Sequence, residues 1–178
     1  MIVIRIILYV YRFVRVTIDP VGYARWIGVR IGNDCHLPGA RESMFGSEPY
    51  LIKIGDNVTV SHDCDFITHD GGIRQFRKIA PDIDIMGPII IGNDVFVGAH
   101  SVLLPDTILG DRCVVGSGAM VKGHFEPDSL IVGNPARRIG SVQDYWERAR
   151  SKTVPTFFLK PKEKRKFLED YYWHNSAD

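Results

Sequence analysis

From Ile91 to Glu126 the chain reads IGNDVF, VGAHSV, LLPDTI, LGDRCV, VGSGAM and VKGHFE, which are consecutive blocks of six residues. Every block begins with an aliphatic residue, and the fifth residue is small or β-branched until Phe125 breaks that rule. A period of six matches neither the 3.6-residue repeat of a helix face nor the two-residue alternation of an ordinary strand. The strands of a β-sandwich would not keep one frame through so many blocks. The pattern therefore predicts a solenoid of short strands in which three blocks close one triangular coil.

Residues three blocks apart should lie above one another in such a coil. The expected stacked pairs are Ile91 with Leu109, Val97 with Val115, and Leu103 with Val121. Glycine or a small polar residue often follows the first residue of a block, where the chain turns a corner and bulk is excluded. Turn-forming pairs occupy further corner positions, namely Asn33–Asp34, Asp56–Asn57, Asn93–Asp94 and Asp111–Arg112.

Two stretches, about 38–51 and about 70–88, break the repeat. Inserts in a repeat array leave it as loops on one face, and that face often binds ligand, so we expect both inserts to shape a ligand pocket. The predicted organisation is an N-terminal apolar and basic segment (1–23), a repeat domain (24–140) and a C-terminal helical extension (141–178). Within the extension, helices are expected around 142–152 and 161–173.

The N-terminal run MIVIRIILYVYRFVRVTI is too short and too often charged to predict a membrane span, and no small-residue cleavage site follows it. As a helix, it would place Arg5, Arg12 and Arg15 in one sector and leave the rest apolar. Two functions fit such a helix: a cap on the open end of the solenoid, or an interfacial helix on an anionic membrane surface. Its isoleucine and valine content also fits a strand.

The composition excludes several classes of protein. With 178 residues, 45% hydrophobic and 24% charged, the chain has the size and apolar content of one soluble domain, and it is neither disordered, collagen-like nor disulfide-rich. A net charge of +1 argues against a nucleic-acid binder. Cys35, Cys64 and Cys113 form no CxxC pair, which predicts neither a disulfide framework nor a cysteine zinc site. A reducing, cytoplasmic setting is the default expectation.

The blocks, the THDGG of Thr68–Gly72 and the GNPAR of Gly133–Arg137 resemble the hexapeptide-repeat acyltransferases over roughly 19–140. Within them, FGSEPYLIKIG (45–55) followed by FITHDGG (66–72) is similar to the acetyltransferases of capsule and O-antigen synthesis, and more distantly to the galactoside, maltose, streptogramin and chloramphenicol acetyltransferases. The resemblance implies an all-β fold, a left-handed parallel β-helix, in a homotrimer. It also implies acetyl transfer from acetyl-CoA to a sugar hydroxyl or amine in surface-polysaccharide synthesis.

The resemblance makes His69 the candidate general base, since it lies at the end of a block directly before the second insert. Histidine as a residue type suits a base that is neutral near pH 7, and a backbone N–H would hold the oxyanion. Asp70 could orient His69, but neighbouring side chains on an extended strand point apart, so we expect Asp70 to cap the loop. His62, in a similar Ser-His-Asp sequence, is expected at a solvent-facing corner. His100 is expected to be exposed, and the alternative is that it lines the cofactor groove.

The resemblance places coenzyme A along the later coils, with its site shared between neighbouring subunits. Gly98, Ala99 and Ser117 stand where backbone groups of the family contact the pantetheine arm, and their small size permits close approach. Lys122 and Arg137 fall near the family's basic positions for the nucleotide phosphates. The family's Thr-Lys pair is replaced by Lys122-Gly123, one place earlier. No metal is expected.

Three other functions are compatible with such a coil. A γ-type carbonic anhydrase needs three zinc-binding histidines, two of them in an H-x4-H step, and the histidines at 36, 62, 69, 100, 124 and 174 contain no such pair. A non-catalytic β-helix scaffold would gain no thermal stability from coenzyme A. An antibiotic acetyltransferase would share the chemistry and differ in the acceptor. The predicted location is the cytoplasm, with or without peripheral membrane contact through 1–18.

Overall fold

The computed structural model describes residues 2–174, with side chains for 6–173. The aliphatic block positions form short strands, most of them two or three residues long. The strands are β1 (Arg30–Ile31), β2 (Ile52–Ile54), β3 (Thr59–Val60), β4 (Asp65–Phe66), β5 (Ile89–Ile91), β6 (Phe96–Val97), β7 (Val102–Leu103), β8 (Thr107–Leu109), β9 (Val114–Val115), β10 (Met120–Val121), β11 (His124–Phe125), β12 (Ser129–Gly133) and β13 (Ala136–Ser141).

The strands form three sheets, and from β2 to β12 consecutive strands belong to different sheets. The sheet orders are β1-β2-β5-β8-β11, β4-β7-β10 and β3-β6-β9-β12-β13. All neighbours are parallel except β12 and β13, which form an antiparallel hairpin at the end of the array. The register pairs Ile91 with Leu109, Val97 with Val115 and Leu103 with Val121. The predicted stacking of these pairs in parallel strands is confirmed.

The core of the coil is a narrow column built from the first and fifth positions of the blocks. The buried first-position residues are Ile31, Leu37, Ile54, Val60, Phe66, Ile91, Val97, Leu103, Leu109, Val115 and Val121. The buried fifth-position residues are Cys35, Val58, Cys64, Val95, Ser101, Thr107, Cys113 and Ala119. The polar members are satisfied: Ser101 Oγ donates to the Gly98 carbonyl at 2.7 Å, and Thr107 Oγ1 to the Leu104 carbonyl at 2.7 Å. Small fifth residues suit the narrow interior because each coil contributes few side chains to it.

The corners are turned by residues in the left-handed conformation. Asp34, Asn57, Asp94 and Arg112 all have φ between 53° and 57°, as the predicted turn pairs require. Phe125 pairs with the first-position residue Leu109, so it takes the first position of a new block that begins two residues early. This early start explains why Phe125 does not follow the fifth-position pattern.

Two helices precede the coil: α1 (Ile2–Ile18) and α2 (Pro20–Ile27). The Asp19 side chain caps α2 by accepting from the Gly22 N–H at 2.8 Å, and Gly28, with φ 111°, ends it. Helix α1 packs against α2, and α2 packs against β1. The helical alternative for the N-terminal run is therefore confirmed over the strand. None of the described helices is long and apolar enough to cross a membrane.

Helices α3 (Val142–Ala149) and α4 (Pro161–Glu169) form at the two places expected in the C-terminal zone. Helix α3 continues into a 3-10 turn (Arg150–Lys152), and α4 into a π-helical turn (Asp170–His174). The chain divides into two compact units, Met1–Tyr145 and Trp146–Asp178, and the candidate site described below belongs entirely to the first.

Candidate active site

His69 lies at the neck of the second insert. Its backbone forms an antiparallel bridge with Met86. On either side, the Asp70 N–H donates to the Ile85 carbonyl at 3.0 Å and the Gly87 N–H to the Thr68 carbonyl at 2.8 Å. The insert therefore leaves and rejoins the coil through one short paired neck. This pairing holds the backbone of His69 in place although a long loop follows it.

The imidazole of His69 is held by a residue of the first insert. His69 Nδ1 lies 3.0 Å from Glu48 Oε2, and the same oxygen accepts from Thr68 Oγ1 at 2.9 Å. The Glu48 side chain is 15% exposed, the His69 side chain 40%, and Thr68 is fully buried. A mostly buried carboxylate thus anchors an imidazole whose far edge reaches solvent.

Burial raises the pKa of Glu48, but hydrogen bonds from Thr68, Ser47 and His69 lower it by more, so the pKa lies below its ordinary value. Glu48 is therefore ionised at neutral pH and can only accept hydrogen bonds. His69 Nδ1 must carry the proton of this contact, which leaves Nε2 with the lone pair in the neutral ring. Within the described part of the chain, Nε2 has no hydrogen-bond partner.

His69 and Glu48 line a hollow of about 360 Å³ formed by both inserts. Its other lining residues are Ser47, Asp70, Gly71, Ile73, Arg74, Arg77, Asp84, Ile85 and Met86. Arg77 is ion-paired with Asp84 across the loop. Residues of both inserts line this one hollow, and the neutral His69 ring in its wall offers a lone pair that can accept a proton.

The structure distinguishes the two roles considered for Asp70. Its side chain accepts from the Gly72 N–H at 2.9 Å and caps the short helical turn Gly71–Phe76. The carboxylate that holds the His69 ring is Glu48, to which the sequence analysis gave no role. Glu48 lies within the FGSEPYLIKIG stretch on which the resemblance rests, and it is the acidic residue of that stretch.

His62 and His100 lie at a corner of the coil rather than in this hollow. Both are exposed, and their rings meet edge to face with centroids 5.1 Å apart. Asp63 lies between them, with its Oδ2 3.0 Å from His62 Nδ1 and 3.9 Å from His100 Nδ1. One ligand atom from each of the three lies within 4.8 Å of the others, so this cluster could hold a metal ion.

The residues expected to bind coenzyme A lie on the later coils. Ala99 and Ser117 occupy equivalent positions of successive coils, because the Gly98 N–H donates to the Val115 carbonyl and the Gly118 N–H to the Ala99 carbonyl, both at 2.8 Å. The N–H groups of Ala99 and Ser117 have no acceptor among residues 2–174. A Cβ on Gly98 would lie 2.5 Å from the Ser117 nitrogen, which explains the glycine.

The two basic candidates are both exposed. Lys122 directly follows β10, and Arg137 lies on β13, which packs beside β10. Arg137 Nη1 donates to the carbonyl of Ala136 at 2.8 Å. The two cations therefore project from adjacent parts of the late coils and are open to an anionic ligand.

The chain is similar to known proteins in sequence and in structure. Residues 78–123 match the bacterial transferase hexapeptide family of six repeats. Protein CapG of Staphylococcus aureus is 41% identical over 151 residues, covering 85% of this chain and 88% of that protein. Galactoside O-acetyltransferase of Escherichia coli is 29% identical over 126 residues, covering 70% of this chain and 60% of that enzyme.

Two solved structures show the same fold at low sequence identity. A hexapeptide-repeat acetyltransferase from Vibrio cholerae superposes with a TM-score of 0.51 at 22% identity, covering 68% of this chain and 78% of that one. A galactoside acetyltransferase in complex with coenzyme A superposes with a TM-score of 0.51 at 21% identity, covering 71% of each chain.

Proposed function

Because this chain belongs to the hexapeptide-repeat family of bacterial transferases, we propose that it transfers acetyl from acetyl-CoA to a hydroxyl or amine of a sugar in surface-polysaccharide synthesis. The observation that carries the proposal is the pairing of His69 Nδ1 with Glu48 at 3.0 Å in the wall of the hollow between the inserts. The sugar acceptor would occupy that hollow. The similarity to galactoside O-acetyltransferase supports a sugar acceptor.

His69 would act as a general base on the acceptor. Nε2 takes the proton of the acceptor hydroxyl or amine while the oxygen or nitrogen of the acceptor attacks the thioester carbonyl. The new C–O or C–N bond forms, the C–S bond breaks, and the imidazolium returns the proton to the departing thiolate. The ionised Glu48 stabilises the imidazolium that forms in between, because the positive charge on the ring develops 3.0 Å from its oxygen. No covalent intermediate on the enzyme is needed.

Coenzyme A would lie along the coil corner that carries Gly98, Ala99 and Ser117. The N–H groups of Ala99 and Ser117 would donate to the amide carbonyls of the pantetheine arm, while Lys122 and Arg137 would meet the phosphates. The galactoside acetyltransferase structure of the same fold contains coenzyme A. The left-handed sense of the coil, the homotrimer with shared sites and the cytoplasmic location belong to the same proposal.

The test of this function is acetyl transfer by His69→Ala. The rate of the variant should be about 10²–10⁴-fold lower than that of the wild type, because a general base usually contributes a factor of this size. Thiol release from acetyl-CoA in the presence of candidate sugars measures the rate. His36→Ala is the matched control, since it removes an exposed histidine outside the hollow and should leave the rate unchanged.

Retention of more than about a tenth of the rate by a folded His69→Ala protein would contradict the general-base role. No turnover by the wild type with any sugar, together with turnover of an antibiotic, would favour the antibiotic acetyltransferases instead.

A further inference from the structure

Helix α1 exposes an unusual amount of apolar surface. Its large hydrophobic side chains from position 6 to 18 are each between 45% and 78% exposed, with Val16 as the buried exception. The exposed residues are Ile6, Ile7, Leu8, Tyr9, Val10, Tyr11, Phe13, Val14 and Ile18. An amphipathic helix of a soluble protein turns its apolar stripe toward the core, whereas most of this apolar surface remains uncovered.

Arg12 and Arg15 of α1 contact neighbouring parts of the protein, and both remain at least partly exposed. Arg12 Nη1 is ion-paired with Glu42 Oε1 at 3.0 Å. The Arg15 guanidinium lies 5.0 Å from the centre of the Trp26 ring and donates to the Tyr11 hydroxyl at 2.9 Å. The helical wheel placed these arginines in one sector, and the structure brings both against neighbouring segments.

The outward face is consequently apolar along its length. Ile6, Val10 and Val14 follow one another at four-residue steps and so lie in one row. Arg12 lies almost opposite Val10, because two residues turn a helix by about 200°. The outward row contains no charged residue, so its side chains offer water no charged group to hydrate.

Charge indicates what covers this face. Positions 1–18 contain three arginines and no acidic residue. Docking α1 against α1 of a second copy would bring two cationic helices together, whereas an anionic lipid surface attracts them. Tyr9, Tyr11 and Trp26 add aromatic rings with polar tips, which favour the boundary between acyl chains and headgroups.

We propose that α1 is an interfacial anchor that binds this protein to an anionic lipid surface. The row of Ile6, Val10 and Val14 enters the outer part of the acyl layer, and the helix lies parallel to the membrane plane. Since none of the described helices is long and apolar enough to span a bilayer, the attachment is peripheral. The binding requires no acetyl transfer and goes beyond the proposed function.

Vesicle flotation of the full chain tests the anchor. The wild type should float with vesicles containing phosphatidylglycerol, bind vesicles of phosphatidylcholine alone more weakly, and lose binding to the anionic vesicles as salt rises. The double variant Val10→Glu/Val14→Glu should lower the partition coefficient on anionic vesicles at least about tenfold, because two apolar side chains no longer enter the acyl layer.

The matched control is Phe157→Glu/Phe158→Glu, which adds the same charge at side chains 88% and 95% exposed outside α1 and should bind like the wild type. A second α1 variant, Ile6→Glu/Ile7→Glu, should repeat the loss. Circular dichroism and the thermal midpoint confirm that each variant is folded.

Two results would overturn the proposal. One is that the α1 variants bind vesicles as well as the wild type does. The other is that the wild type binds neither kind of vesicle. If sedimentation velocity then shows a larger assembly for the wild type than for Val10→Glu/Val14→Glu, a second copy covers the apolar face instead of lipid.

Discussion

Replacing Glu48 by glutamine tests how the His69 ring is positioned. The substitution keeps the size of the side chain and removes the charge that faces His69 Nδ1 at 3.0 Å. A hydrogen bond to a charged group contributes about 1.5–3 kcal/mol, and a neutral one about 0.5–1.5 kcal/mol. The difference, about 1–2 kcal/mol in the transition state, predicts a fall in kcat of about 5- to 30-fold.

The loss should appear in kcat and leave KM for the acceptor nearly unchanged. Glu48 acts on the ring and on its developing charge, so its effect is larger in the transition state than in the bound substrate. Glu48→Asp, which keeps the charge on a shorter side chain, should recover part of the rate. Steady-state thiol release from acetyl-CoA at saturating acetyl-CoA measures both constants.

The stability of the same variant should depend on pH. The folded pKa of Glu48 lies below its ordinary value of 4.5, so its carboxylate stabilises the fold fully above about pH 4.5, and this contribution is lost as the pH falls through the folded pKa. The thermal midpoint of Glu48→Gln should therefore lie below that of the wild type at pH 7. The two midpoints should converge at acidic pH.

Asp70→Asn is the matched control, since it makes the same carboxyl-to-amide change next to His69. The amide oxygen of the new side chain can still accept from the Gly72 N–H, so kcat should stay within about twofold of the wild type. A Glu48→Gln enzyme with unchanged kcat would refute the positioning role, and so would equal losses in both variants.

Two further predictions concern the coil. Gly98→Ala should lower the free energy of unfolding by about 1–3 kcal/mol, because the new Cβ would lie 2.5 Å from the Ser117 nitrogen. Gly71→Ala is the control and should leave the free energy of unfolding unchanged, because there is open space around Gly71. Equal midpoints of the two variants in thermal melts would contradict the close packing at Gly98. Burial raises the pKa of the thiols of Cys35, Cys64 and Cys113. In the native protein these thiols should therefore not react with a disulfide reagent, whereas in guanidinium they should react. Rapid reaction of the native protein with the reagent would contradict their place in the core.

The coil could be predicted because its contacts repeat at a constant step. Once three blocks make a turn, the position of Ile91 in its block already determines that it lies against Leu109, and the register confirms this. The corner residues follow for the same reason, since Asp94 and Arg112 recur at one block position and share the left-handed conformation. Solenoid contacts are short-range along the chain, so the spacing contains most of the tertiary information.

The orientation of α1 could not be predicted in this way. A helical wheel groups Arg12 and Arg15 without saying which way the group faces. Glu42 and Trp26, which contact the two arginines, belong to other segments, and nothing in the spacing of α1 refers to them.

For the site, the sequence by itself determined that His69 stands at the end of a block and before an insert, and that both inserts leave the coil. Only the tertiary structure decided that Glu48, 21 residues earlier, holds the imidazole, and that the adjacent Asp70 caps the loop. The physical reason is that the repeat prescribes contacts between coils, whereas the inserts lie outside it. Their side chains meet wherever loop closure, burial and hydrogen bonding bring them together.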